Sequence, residues 1–184
     1  MSRITNTPGD DFGFSIDMTV RNEWRNVDLL RTSVQNCFTA VFADVDGCHA
    51  IAMVTGELLE NALKYGDWVS GDRAMFRLRV NGKANEIVEV SVQNPLKGDD
   101  QNAQNLMKAI EQINSYPTPE AAYRARMLVI AQSEDDSPSR LGLVRIAFEG
   151  NCRLSARIDN GMVTVTAALN LGDQPGAGGV NSAG

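Results

Sequence analysis

The chain has 184 residues, 22% of them charged, and a formal net charge of −6. That length suits one domain with a real core. The acidic balance argues against a general nucleic-acid or anionic-membrane binder, which needs a basic surface. No apolar run reaches the roughly 20 residues that span a bilayer, and Met1 to Asp11 carry no signal-peptide core, so a cytoplasmic protein is expected. Cys37, Cys48 and Cys152 form an odd set without CxxC spacing. They are expected to be small buried residues in a reducing compartment. His49 is the single histidine, which argues against zinc, and beside Cys48 on a helix it would point elsewhere.

Phe12, Phe14, Ile16, Met18 and Val20 alternate with more polar residues, the pattern of a half-buried strand. The period then changes. Trp24, Val27, Leu30, Val34, Cys37, Phe38 and Val41 recur at three- and four-residue steps and predict a long amphipathic helix. Asp44 to Gly47 is expected to break it. A second helix runs from about His49 to Tyr65, with Ile51, Val54, Leu58 and Ala62 buried and Gly66 as its stop.

A strand with Phe76, Leu78 and Val80 on one face follows, with Asn81-Gly82 placed in the turn region. Its partner carries Val88, Val90 and Val92 and ends at Asn94-Pro95, because Pro cannot donate to a central ladder. After a polar loop from Lys97 to Gln101, Ala103, Leu106, Met107, Ile110 and Ile113 mark a third helix. Thr118-Pro119-Glu120 starts a fourth, Thr as N-cap and Pro at the first helical position. Tyr123, Met127 and Ile130 are its expected buried face.

Ser133 to Arg140 is polar and turn-rich, and a short helix follows from about Leu141 to Phe148. Leu154, Ala156 and Ile158 form a strand, Asn160-Gly161 turns it, and Val163, Val165, Ala167 and Leu169 return. The Gly-rich stretch from 172 to 184 lacks apolar anchors and is expected to be disordered. The strands come mostly as hairpins, so the fold class is α/β in the α+β sense: a two-layer sandwich of a mixed, mostly antiparallel sheet with helices on one face, one domain spanning residues 1–171.

The segment that carries chemistry is Glu57-Leu58-Leu59-Glu60-Asn61-Ala62-Leu63-Lys64-Tyr65-Gly66. On a helix, positions 57, 61 and 64 share one stripe. That stripe holds a carboxylate, a carboxamide and an ammonium, a set that suits a magnesium nucleotide. An Asn oxygen with phosphate oxygens can ligate Mg²⁺. A carboxylate one turn away can orient or deprotonate a hydroxyl, and Lys64 can offset phosphate charge. The bland alternative is an amphipathic helix with a Glu60–Lys64 surface pair, worth a few tenths of a kcal/mol.

The segment resembles the N-box of the GHKL (Bergerat-fold) ATPase superfamily, a Glu followed after three residues by Asn-Ala, as Glu57 and Asn61-Ala62 stand here. The order of elements is similar to the anti-sigma-factor serine kinases of that superfamily. The stretch from Asn94 through Ile113-Asn114 to Leu141-Gly142-Leu143 is similar to the SiaB-like protein kinases. The resemblance implies ATP and Mg²⁺ as cofactors. It makes Glu57 the catalytic base or orienting group and Asn61 the Mg²⁺ ligand. It places Lys64, Tyr65, Asn94, Arg140, Gly142 and Leu143 about the nucleotide.

The family's Asp-x-Gly-x-Gly box is replaced by Gln93-Asn94-Pro95-Leu96, where Asn94 would read adenine. Its second glycine box keeps only Gly142-Leu143, with Arg140 in place of some backbone amides on the phosphates.

The function implied is a protein serine/threonine kinase of a bacterial partner-switching system. Its expected partner is a small STAS-domain protein of the anti-sigma-factor-antagonist type, with neither nucleic acid nor membrane. A homodimer is an expectation from the anti-sigma relatives. The altered glycine boxes favour an alternative, a non-catalytic binding protein of the same fold. A detached histidine-kinase catalytic domain is a third, distant reading.

Overall fold

The computed structural model describes residues 13–41, 45–67, 75–83, 87–96, 100–132 and 141–170. Strand β1 (Gly13–Arg21) leads into helices α1 (Arg25–Val41) and α2 (Val45–Tyr65). A hairpin of β2 (Met75–Lys83) and β3 (Ile87–Pro95) follows. Then come α3 (Asp100–Asn114), α4 (Pro119–Ala131) and α5 (Gly142–Glu149). The hairpin of β4 (Cys152–Asp159) and β5 (Met162–Asn170) completes the sheet. The strand order is β1-β2-β3-β5-β4. Every pairing is antiparallel, so the mostly antiparallel character expected extends across all five strands.

Strict alternation decides which face is buried, because a strand turns successive side chains to opposite sides. Phe76, Leu78 and Val80 of β2, Val88, Val90 and Val92 of β3, and Ala167 and Leu169 of β5 are buried. They meet Val34 and Phe38 of α1, Ile51, Val54, Leu58 and Leu59 of α2, and Ile146 of α5 in one core. All helices that contact the sheet pack on this face, which gives the two-layer sandwich.

Several local expectations are corrected. Helix α2 starts at Val45, so Gly47 and Cys48 lie inside it and are buried; Asp46 in the first turn favours that start by meeting the positive end of the helix dipole. Asn81-Gly82 lies within β2 and pairs with β3 rather than turning. Gly82 faces Val88, whose Cγ2 would lie 2.6 Å from a Cβ at that position. The glycine therefore serves close strand approach. Asn160-Gly161 does turn, with φ of 50° and 73°, the left-handed values of a two-residue hairpin.

Cys37 is exposed, unlike Cys48 and Cys152. It sits on the solvent side of α1 beside the buried Phe38. The capped start of α4 is as expected, with Thr118 Oγ1 accepting from the Ala121 amide and Pro119 next. Its buried face is not: Ala122 is the buried residue, while Met127 and Leu128 are 41% and 63% exposed. The helix touches α5 through Tyr123 stacked on Phe148 at 4.5 Å. Residues 172–184, the expected disordered tail, lie outside the described residues.

Candidate functional site

Ile51, Val54, Leu58 and Leu59 bury one face of helix α2 in the core and so set its rotation, and the neighbouring polar stripe emerges at the layer's rim. Thr55 is fully buried and satisfies its hydroxyl within the helix, on the Ile51 carbonyl at 2.7 Å. Glu57 and Asn61 are half-buried there, while Lys64 and Tyr65 are exposed. The Lys64 ammonium lies over the Tyr65 ring, 5.2 Å from its centroid.

Glu57 sits in a low-dielectric setting beside a cation. Burial raises its pKa above the usual carboxylate range, and Arg145 opposes that rise. The Arg145 Nη1 approaches Glu57 Oε1 at 3.4 Å, while its Nε donates to Glu149 Oε1 at 2.7 Å. Arg145 was not among the residues picked out from the sequence. Its i,i+4 spacing to Glu149 reads as an ordinary surface pair, and only the packing of α5 on α2 delivers it to Glu57. Arg31 of α1 also reaches over α2: its Cδ would lie 3.1 Å from a Cβ at Gly56. Together Arg31, Gln35, His49, Glu57 and Arg145 line a groove of about 340 Å³. There His49 Nδ1 is 3.0 Å from Gln35 Nε2, while Cys48 turns into the core, so the two adjacent residues do not act as a pair.

Asn61 presents an anomaly of a useful kind. Its Nδ2 is buried and has no hydrogen-bond partner among the described residues. An orphaned buried donor costs about 1–3 kcal/mol, and native proteins leave few of them. The group facing it is Gly142, the first residue of α5: a Cβ there would lie 3.5 Å from Asn61 Oδ1 and 3.8 Å from Nδ2. The α5 N-terminus has no side-chain cap at Leu141. A carboxamide and a helix start that no side chain caps among the described residues thus meet across a methyl-sized gap. Free helix N-termini favour anions, and the carboxamide can turn either its oxygen or its NH₂ inward. The arrangement is a chemical complement to a cation-bridged phosphate, and these residues fit a magnesium nucleotide.

The other expected residues are placed as follows. Asn94 is 5% exposed, on the helix-facing side at the end of β3, and its NH₂ donates to the Pro95 carbonyl at 3.1 Å. A bridge between Gly66 and Leu96, with the Asp67 amide donating to the Pro95 carbonyl, ties that strand end to the end of α2. Asn94 therefore shares one end of the layer with Lys64 and Tyr65. Leu143 instead lines a cavity with Ile113, Tyr116 and Ala122, between α3, α4 and α5. Arg140 lies outside the described residues.

No protein-family model matches the sequence, and no curated protein matches it significantly. Among solved structures the fold is similar to a chain in the crystal structure of the SiaB–SiaC complex from Pseudomonas aeruginosa. The TM-score is 0.66 and the identity 18%, over 84% of this chain and 88% of that one. At that identity the likeness concerns the fold.

Proposed function

We propose that this chain is an ATP-dependent protein serine/threonine kinase of a partner-switching system, acting on a STAS-domain partner of the SiaC or anti-sigma-factor-antagonist kind. The observation that carries the reading is the unpartnered Asn61 amide facing Gly142 at the open start of α5. A fold shared with a chain of the SiaB–SiaC complex supports the regulatory setting and the protein partner.

Bound Mg-ATP supplies the phosphoryl group and the cation that screens its charge. The chain supplies position and a proton acceptor. Asn61 would offer its oxygen to the cation, the α5 amides near Gly142 and the Lys64 ammonium would meet phosphate oxygens, and Asn94 would meet the base. Glu57 would accept the proton of the incoming Ser or Thr hydroxyl as the bond from that oxygen to the γ-phosphorus forms and the bond to the departing ADP breaks. Its raised pKa makes the carboxylate a better acceptor than an exposed Glu.

The test is transfer of radiolabelled phosphate from ATP to a STAS-domain protein of the SiaC kind. The wild type should transfer. Glu57→Ala should keep ATP binding and lose transfer by roughly 10²–10⁴. Transfer that survives the substitution removes Glu57 from the role. Wild-type ATP binding without transfer selects the non-catalytic reading, which the altered glycine boxes favour.

A further inference from the structure

The outer face of the sheet is covered by no described element and has an unusual composition. The register sets its residues in rows across all five strands. One row is Asp17, Arg79, Ser91, Thr166 and Ser155, and the next is Thr19, Arg77, Gln93, Thr164 and Arg157. A third is Ser15, Asn81, Glu89, Ala168 and Arg153. Every one of these side chains is polar except Ala168. Four are guanidinium groups and two, Asp17 and Glu89, are carboxylates. A chain of net charge −6 thus carries a locally positive face.

The positive charge gathers at one hollow. Arg77, Arg79 and Arg157 rim a depression of about 430 Å³, with Ser91, Thr164 and Thr166 among its lining. Its preferred ligand chemistry is already displayed inside the molecule. Arg77 grips the Asp17 carboxylate with two bonds of 2.6 and 2.7 Å, and Arg79 reaches the same group at 2.9 and 3.2 Å. The pair holds the Asp17 pKa down to about 2. Fork-to-carboxylate pairing is the geometry that selects arginine over lysine. Arg157 has no ion pair among the described residues, so the hollow keeps an unspent guanidinium facing hydroxyl groups.

We propose that this outer sheet face docks a carboxylate-rich segment of an acidic protein, with Arg157 and the Arg77–Arg79 pair as its anchors. The proposal stands independently of the kinase reading. Nucleic acid fits the face less well. The three rows contain no aromatic side chain on which a base could stack, and a duplex would run beyond the patch onto an acidic chain.

The experiment is a calorimetric titration of the full chain with a hexaglutamate peptide and, separately, with a short duplex DNA, at low and raised ionic strength. The peptide should bind at low ionic strength and be released as salt screens the contact. Arg157→Glu, at an exposed position, should weaken binding roughly tenfold, and its melting curve should confirm an intact fold. Asp17→Asn should tighten binding by roughly fivefold, because it releases two guanidinium groups to the ligand. A purely structural role for that pair predicts no such gain. Failure of the wild type to bind the peptide overturns the proposal. So do unchanged binding by Arg157→Glu, a loss in Asp17→Asn, and tighter binding of the duplex than of the peptide.

Discussion

At the scale of single residues, two side chains are held in states that isolated residues would avoid. Glu57 is pushed toward its neutral form by burial and held back by Arg145. A base works in its deprotonated form, so transfer should fall as pH drops through a Glu57 pKa above the ordinary value of about 4.5. Arg145→Ala removes the strongest opposing cation, which leaves burial and the charges of Glu60 and Glu149 against Arg31, and the acid limb of the rate–pH profile should move to higher pH. An unmoved limb would mean that Arg145 belongs to Glu149 alone. Asn61 bears the other cost, a buried donor without an acceptor among the described residues. Neither feature is visible in sequence. The N-box letters name the residue types, but desolvation and an empty hydrogen-bond position are properties of the packed rim.

At the scale of elements, the short helix α5 is the link between core and site. Ile146 and Ala147 hold it in the core, Arg145 reaches Glu57, and Gly142 faces Asn61. Gly142→Ala puts a methyl group at ordinary contact distance from Asn61, 3.5 Å from its Oδ1, on a better helix former. The variant should fold, with stability changed by no more than about 1 kcal/mol. Its melting response to Mg-ATP should shrink, because the methyl group occupies the space offered to phosphate. A full response would place the nucleotide elsewhere.

The elements themselves were largely legible. The alternation at Phe76, Leu78 and Val80 and the stripe of α2 are direct images of burial. The misplaced features have one shared cause. Asn81-Gly82 carries turn-forming letters, yet it lies in β2 because Val88 across the ladder needs the missing side chain. The apolar letters of α4 promised a buried face, but Met127, Leu128 and Val129 in its second half have no layer packed over them among the described residues and stay exposed. In both cases a tertiary neighbour, absent from any local window, decides the outcome.

At the scale of the whole molecule, the sandwich has two faces of different composition. The helical layer brings α2, α5 and the end of β3 to one rim, where Glu57, Asn61, Gly142 and Asn94 gather. The outer sheet face carries arginine and hydroxyl groups across five strands. The expected domain outline was readable because hairpins and amphipathic helices leave few topologies. Glu57, Asn61 and Lys64 were picked out from the letters ENALKYG on α2, and Gly142 from the Gly-Leu pair ahead of α5. Their juxtaposition, Gly142 against Asn61 and Arg145 against Glu57, came from the fold.

Whether Asn61 and the α5 start hold Mg-ATP is tested most directly by a thermal melt of wild type and Asn61→Ala with and without Mg-ATP. Ligand at a hundredfold excess over Kd should stabilise the wild type by about 2.7 kcal/mol, a melting rise of roughly 5–10 °C. Asn61→Ala removes an unsatisfied buried amide, so the ligand-free variant should melt no lower than wild type, yet lose the response to Mg-ATP. An unresponsive wild type, or a variant that responds as fully as wild type, would contradict the account.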